Sequence, residues 1–176
     1  MGNSGKKVPR LYWDACVFLS FIEDHPGRAP VIESLLEDCE QGKFEIWTSH
    51  MSIVEVAFAK TEKDGKALDA EVEKEIDSLW HPSSPIKLVE VSELICTGAR
   101  TLVREGIEKQ HSVRSADAVH LATAQLVDVD EFCTYDQRLL GANKLVTFKL
   151  CEPSVSQLLI AQEIHAKQKD SSQEKK

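Results

Sequence analysis

Four carboxylates set the chemical question in this chain: Asp14 in LYWDACVFLSF, Glu55 in TSHMSIVEVAF, Asp117 in RSADAVHLATAQ and Asp136 in FCTYDQRL. Asp14 is the least expected. It interrupts the most strand-like apolar run, and an unpaired carboxylate among apolar groups is costly. A cation partner, a metal ion, or a place at the end of a strand where the chain opens into a cleft would each relieve that cost. Four carboxylates brought close together would also repel and raise one another's pKa values. A hard divalent cation among them removes the conflict, because Mg2+ or Mn2+ prefers oxygen ligands and keeps several waters. Such an ion polarises a phosphoryl oxygen and makes hydroxide from bound water, which suits phosphodiester hydrolysis.

Each acid has a plainer explanation when taken alone. Asp14 can be a simple strand-end acid. Asp117 falls in the first turn of a helix, where the dipole favours negative charge. Asp136 stands at a strand-to-helix turn, a common capping place. Glu55 flanks the apolar stripe of Met51, Val54 and Phe58, where an acid is usually solvated. The metal reading rests on the joint pattern, so the elements that carry the four acids decide it.

Strand and helix patterns alternate along the chain. Strands are expected over 11–18, 44–47, 87–91, 131–135 and 145–150. Helices are expected over 31–41, 50–60, 63–80, from Ser92 to about 105, 115–126 and 137–140, with Pro153 opening a terminal helix. Thr48 or Ser49 is expected to cap the 50–60 helix, which places Glu55 two turns inside it. This alternation implies one α/β domain over 8–160, a mainly parallel sheet with helices on both faces. In open sheets of that kind the functional crevice lies beyond the carboxyl ends of the strands. Asp14 and Asp136 end strands, and Glu55 and Asp117 begin near the same rim.

Length and composition narrow the classes further. The 176 residues suffice for one domain with a real core, and 42% are hydrophobic. No run approaches the roughly 18 apolar residues of a membrane span. The start, MGNSGKKVPR, has no apolar segment behind its lysines, and Lys6 occupies the place where a myristoylation signal wants Ser or Thr. A cytoplasmic location is therefore expected. Five widely spaced cysteines without a CxxC read as reduced thiols. The net charge of −8 argues against binding a polyanion through bulk charge, and leaves room for a local basic patch. Residues 1–7 and 167–176, the latter ending in KDSSQEKK, read as flexible termini.

With these segments in hand, the sequence resembles the PIN-domain family, especially the VapC-like toxin ribonucleases of type II toxin–antitoxin systems. The resemblance runs from residue 11 to about 150 and is carried by LYWDACVFLSF, TSHMSIVEVAF, SADAVHLATA and FCTYDQRL, in that order and spacing. It implies a three-layer α/β/α sandwich with a central, mainly parallel five-stranded sheet. It also implies Mg2+- or Mn2+-dependent RNA cleavage, a homodimer, and an antitoxin partner whose Arg would suit the acids. The family's acidic metal-binding positions fall on Asp14, Glu55, Asp117 and Asp136. Two departures bear on activity. Ala15 stands where many members carry a hydroxyl after the first acid, and Gln137 and Arg138 follow Asp136 where some members carry a further acid.

Among the basic residues near the rim, Arg114 and Arg138 lie within three residues of a proposed ligand and are the best candidates to contact RNA. A local ion pair with that ligand is the competing role. Tyr12, Trp13 and Trp47 are expected in the core. A phosphatase of the haloacid-dehalogenase-like kind, with Asp14 as nucleophile, would want a second Asp where Cys16 stands. A degenerate PIN fold that binds RNA or protein without cutting it is the non-enzymatic alternative.

Overall fold

The computed structural model describes residues 8–154. The expected flexible termini and the helix expected beyond Pro153 lie outside the described residues.

The chain runs β1 (Arg10–Trp13), α1 (Ala15–Ile22), α2 (Ala29–Glu40), β2 (Glu45–Ser49), α3 (Met51–Glu55), α4 (Lys60–Gly65), α5 (Ala70–Trp80), β3 (Ile86–Val89), α6 (Glu93–Glu108), α7 (Ser115–Val127), β4 (Glu131–Cys133), α8 (Gln137–Leu140) and β5 (Lys149–Cys151). The five strands form one sheet in the order β3-β2-β1-β4-β5, and every pair is parallel. The chain steps outward from β1 through β2 to β3, then returns to pair β4 on the other side of β1. The carboxyl end of β1 is therefore the place where the winding reverses, the usual position of a functional crevice.

Side-chain alternation along β1 shows why both faces of the sheet must be covered. Leu11 and Trp13 enter one core with Val17 and Phe18 of α1, Ile32 and Leu35 of α2, and Ile76 and Leu79 of α5. Tyr12 enters the opposite core with Ile95 and Leu102 of α6 and Ala118, Leu121 and Ala122 of α7. The result is an α/β/α sandwich. Trp13 lies 5.6 Å from Phe18 between ring centroids, and Tyr12 stacks at 4.9 Å on Phe132. Fully burying each such ring contributes about 1.5–3 kcal/mol.

Several boundaries differ from the sequence reading. The first strand stops at Trp13 instead of running to 18, because Asp14 turns the chain directly into α1. The helix expected over 50–60 ends at Glu55, so Glu55 is its last residue. Val56 and Ala59 turn inward there and are buried. The helix expected over 63–80 is two helices. Gly65 and Lys66, the latter at φ +52°, end α4, and the Asp69 side chain caps α5 by accepting from Glu71 N–H at 2.9 Å. Buried Glu62 ties the break together by accepting from Ala59 N–H at 2.8 Å and Asp69 N–H at 2.7 Å. Thr48 does not cap α3; its hydroxyl donates to Trp13 O, while Ser49 Oγ accepts from Met51 N–H at 3.2 Å. Trp47 is only half-buried, with the Arg10 and Lys87 cations over its ring.

Candidate metal centre

Asp14 is the N-cap of α1, and its own N–H donates to Cys133 O, closing the last rung between β1 and β4. It is only 8% exposed, yet it is well satisfied. Oδ1 accepts from Ala15 N–H at 2.8 Å. Oδ2 accepts from the Thr134 hydroxyl at 2.8 Å and from the Cys16 thiol at 3.3 Å. Burial, and then the Asp14 charge, push the Cys16 thiol up to about 12, so it stays a donor. The position at the end of β1 relieves part of the cost of this buried acid, and hydrogen bonds to the carboxylate add to it.

Thr134 follows β4 and couples two of the acids. Its hydroxyl donates to Asp14 and accepts from Asp136 N–H at 3.0 Å. Asp136 is in turn the N-cap of α8, accepting from Arg138 N–H at 2.8 Å. The Arg138 guanidinium lies 2.5 Å from Asp136 Oδ2 and 3.6 Å from Asp117 Oδ2. Burial alone would raise the Asp136 carboxyl, but the bonds from Arg138 outweigh it and hold the group below its ordinary value.

Asp117 stands in the first turn of α7. Its carboxyl is raised above the ordinary range, first by burial and then by the Asp14 charge, with Asp136 adding and Arg138 and Arg114 opposing. Arg114 precedes α7 as its N-cap residue without a side-chain capping bond. Glu55, at the end of α3, is reached from the other direction. His120 Nε2 lies 2.6 Å from Glu55 Oε2 and 3.9 Å from Asp14 Oδ1. Burial disfavours the His120 cation most strongly, but the Glu55 bond and the Asp14, Glu55 and Asp117 charges together raise its pKa. The structure thus brings Asp14, Glu55, Asp117 and Asp136 to one rim through His120, Thr134 and Arg138.

The sequence reading missed His120 and Thr134. Asp117 and His120 are three residues apart on α7, a spacing that puts both on one helix face. That spacing was the available signal. Nothing local marks Thr134, whose contact with Asp14 spans the whole fold.

The donor chemistry fits a hard divalent cation: four carboxylates, one of them raised by burial and then by its neighbours' charge, and a guanidinium balancing two. Asp14, Glu55, Asp117 and Asp136 are the residues that would hold such an ion. No three of them bring donor atoms within 4.8 Å of one another, so an ion there would reach some of them through water. Among the described residues, the trio with donor atoms within 4.8 Å of one another is Glu131, Cys133 and Cys151, on β4 and β5. There Lys149 Nζ already balances Glu131 at 2.9 Å.

Comparisons with known proteins bear on the family and the fold. The family model described as the PIN domain matches residues 11–145. None of the curated proteins matches the sequence. Among solved structures, VapBC2 from Rickettsia felis bound to a DNA fragment from its promoter superposes with a TM-score of 0.59 at 13% identity, over 80% of this chain and 96% of that one. FitAcB from Neisseria gonorrhoeae gives 0.57 at 13% identity, over 81% and 97%. VapC20 from Mycobacterium tuberculosis, a toxin that cleaves the sarcin–ricin loop, gives 0.56 at 11% identity, over 75% and 94%. At such identities the likeness is one of fold.

Proposed function

Because this chain belongs to the PIN domain family, we propose that it is a ribonuclease that hydrolyses RNA phosphodiester bonds with Mg2+ or Mn2+, and acts as a VapC-type toxin. The observation that carries this reading is the gathering of Asp14, Glu55, Asp117 and Asp136, from four separate segments, at the carboxyl end of the sheet. The structural neighbours add support, since one of them is a toxin that cleaves the sarcin–ricin loop.

In this reading Asp14, Asp117 and Asp136 hold the ion, directly or through water, and Glu55 completes the set or orients the attacking water. The ion, when bound, polarises the phosphoryl oxygen and lowers the pKa of a bound water. Arg138 balances Asp117 and Asp136; with a cation held by those acids, its guanidinium would be available to phosphate. Arg114, on the same side, is the second phosphate contact. These local cations let RNA approach a chain whose net charge is −8. An antitoxin offering an Arg to the acids would block the site by the same charge logic. A homodimer and a cytoplasmic site of action complete the proposal.

The test is cleavage of RNA by the purified protein with Mg2+ or Mn2+, against EDTA and against Asp14→Asn. Metal-dependent turnover that disappears in the folded variant is expected; unchanged turnover rejects the role of Asp14. A second reading is favoured by two observations: Ala15 supplies no hydroxyl after the first acid, and Arg138 already neutralises two of the four. A PIN-fold module of this kind would bind RNA or protein with no metal-dependent cleavage.

A further inference from the structure

Glu55 is the least constrained of the four acids by its own backbone. It ends a five-residue helix, and the chain leaves helical geometry at Val56. Its carboxylate is held from α7 by His120, and His120 has almost no freedom. The imidazole is 1% exposed, meets the Tyr12 ring edge-on with centroids 5.8 Å apart, and lies 2.7 Å from the Tyr12 hydroxyl through Nδ1. Tyr12 is itself fixed in the central strand, fully buried and stacked on Phe132.

One of these bonds has its direction set by the backbone. Ser49 N–H donates to the Tyr12 hydroxyl oxygen at 3.0 Å. The hydroxyl proton is then free to donate to His120 Nδ1. An accepting Nδ1 puts the imidazole proton on Nε2, where it donates to Glu55. A protonated imidazole also donates from Nε2, so the Glu55 contact does not depend on the charge of His120. The chain of bonds starts at the end of β2 and closes on the helix that leaves it.

We propose that Tyr12 and His120 are positioning residues, a buried relay that holds the Glu55 carboxylate toward Asp14 and so sets the affinity of the site for its divalent ion. This rests on the nuclease reading above. A buried polar trio that merely satisfies itself would affect stability alone. The relay makes a different demand, since outer groups that orient ligands are worth about 10–100-fold in metal affinity or activity.

The experiment is Mn2+ binding to the full chain without RNA, followed by the electron paramagnetic resonance of free Mn2+. Wild type is compared with Asp14→Asn, His120→Leu, His120→Gln and Tyr12→Phe, each checked for fold by circular dichroism. His120→Leu is expected to weaken Mn2+ binding about 10–100-fold, and His120→Gln, whose amide N–H can still reach Glu55, to recover much of the loss. Tyr12→Phe removes only the hydroxyl and is expected to weaken binding in the same direction. A folded His120→Leu that binds Mn2+ like wild type overturns the relay while the Asp14→Asn loss keeps the nuclease reading. If His120→Leu does not fold, wild-type affinity in Tyr12→Phe overturns it instead. Wild type without Mn2+ binding, or Asp14→Asn with unchanged binding, overturns the nuclease reading and the relay with it.

Discussion

Thr134 carries more of the site than its type suggests. One hydroxyl serves two acids, donating to Asp14 Oδ2 and accepting from Asp136 N–H. The hydroxyl that Ala15 cannot supply from the start of α1 therefore arrives from the end of β4. Thr134→Val conserves volume but removes both bonds, leaving a buried carboxylate oxygen with only the weak Cys16 thiol donor. Hydrogen bonds to charged groups contribute about 1.5–3 kcal/mol. Urea unfolding of Thr134→Val is expected to show a loss of that size with an unchanged m-value, and the proposed metal-dependent RNA cleavage to fall with it. A variant as stable as wild type would mean that water replaces the hydroxyl.

At the scale of elements, the site depends on how α6 returns into α7. Gly106, late in α6, has no room for a side chain, because a Cβ there would lie 2.5 Å from His111 O. His111 N–H also donates to Gly106 O at 2.7 Å, so the turn cannot easily open. Gly106→Ala is expected to cost about 1–3 kcal/mol by overpacking and to shift the start of α7, where Asp117 sits. Gly98→Ala on the same helix is the control. Its Cβ would lie 3.4 Å from Ala122 Cβ, and the better helix former offsets the tight contact to within ~1 kcal/mol. Chemical denaturation of the two variants side by side checks the contrast.

A second element-scale prediction concerns the opposite rim of the sheet. Glu45 of β2 is the register partner of Arg10 on β1, with Arg10 Nε at 3.4 Å, and it pairs with Lys87 of β3. Burial pushes the Glu45 carboxyl up, but Lys87, the Trp47 N–H and Arg10 together hold it below its ordinary value. A lowered carboxyl adds stability that is present above the ordinary carboxylate range and is lost as pH falls through the lowered value. The groups are partly solvated, so the contribution at neutral pH is under ~1 kcal/mol. Glu45→Gln is expected to melt slightly below wild type at about pH 7 and to converge with it at about pH 2. Parallel melting curves across that range would reject the assignment.

For the molecule as a whole, the acidic rim is a standing electrostatic cost that a cation bound there, as proposed, would relieve. An ion that binds only the folded chain stabilises it by about 2.7 kcal/mol at a hundredfold excess over its Kd. For a chain of this length that corresponds to a rise in Tm of roughly 5–10 °C. Calorimetry with Mn2+ is expected to show it in wild type, and Asp14→Asn to lose most of it; equal shifts in both would place the ion elsewhere. Among the described residues no helix is long and apolar enough to cross a membrane.

Local pattern was enough to read the alternation of strand and helix and the parallel sheet. Those features follow from side-chain periodicity, which is short-range and written in neighbouring residues. The breaks around α4 were not legible, because buried Glu62 holds them through backbone N–H groups whose turn no periodicity announces. Nor were His120, Thr134 and the reach of Arg138 beyond its local pair with Asp136 to Asp117. Which side chain meets which across the sheet is set by strand order and register, and those are decided by pairings between segments far apart in the chain.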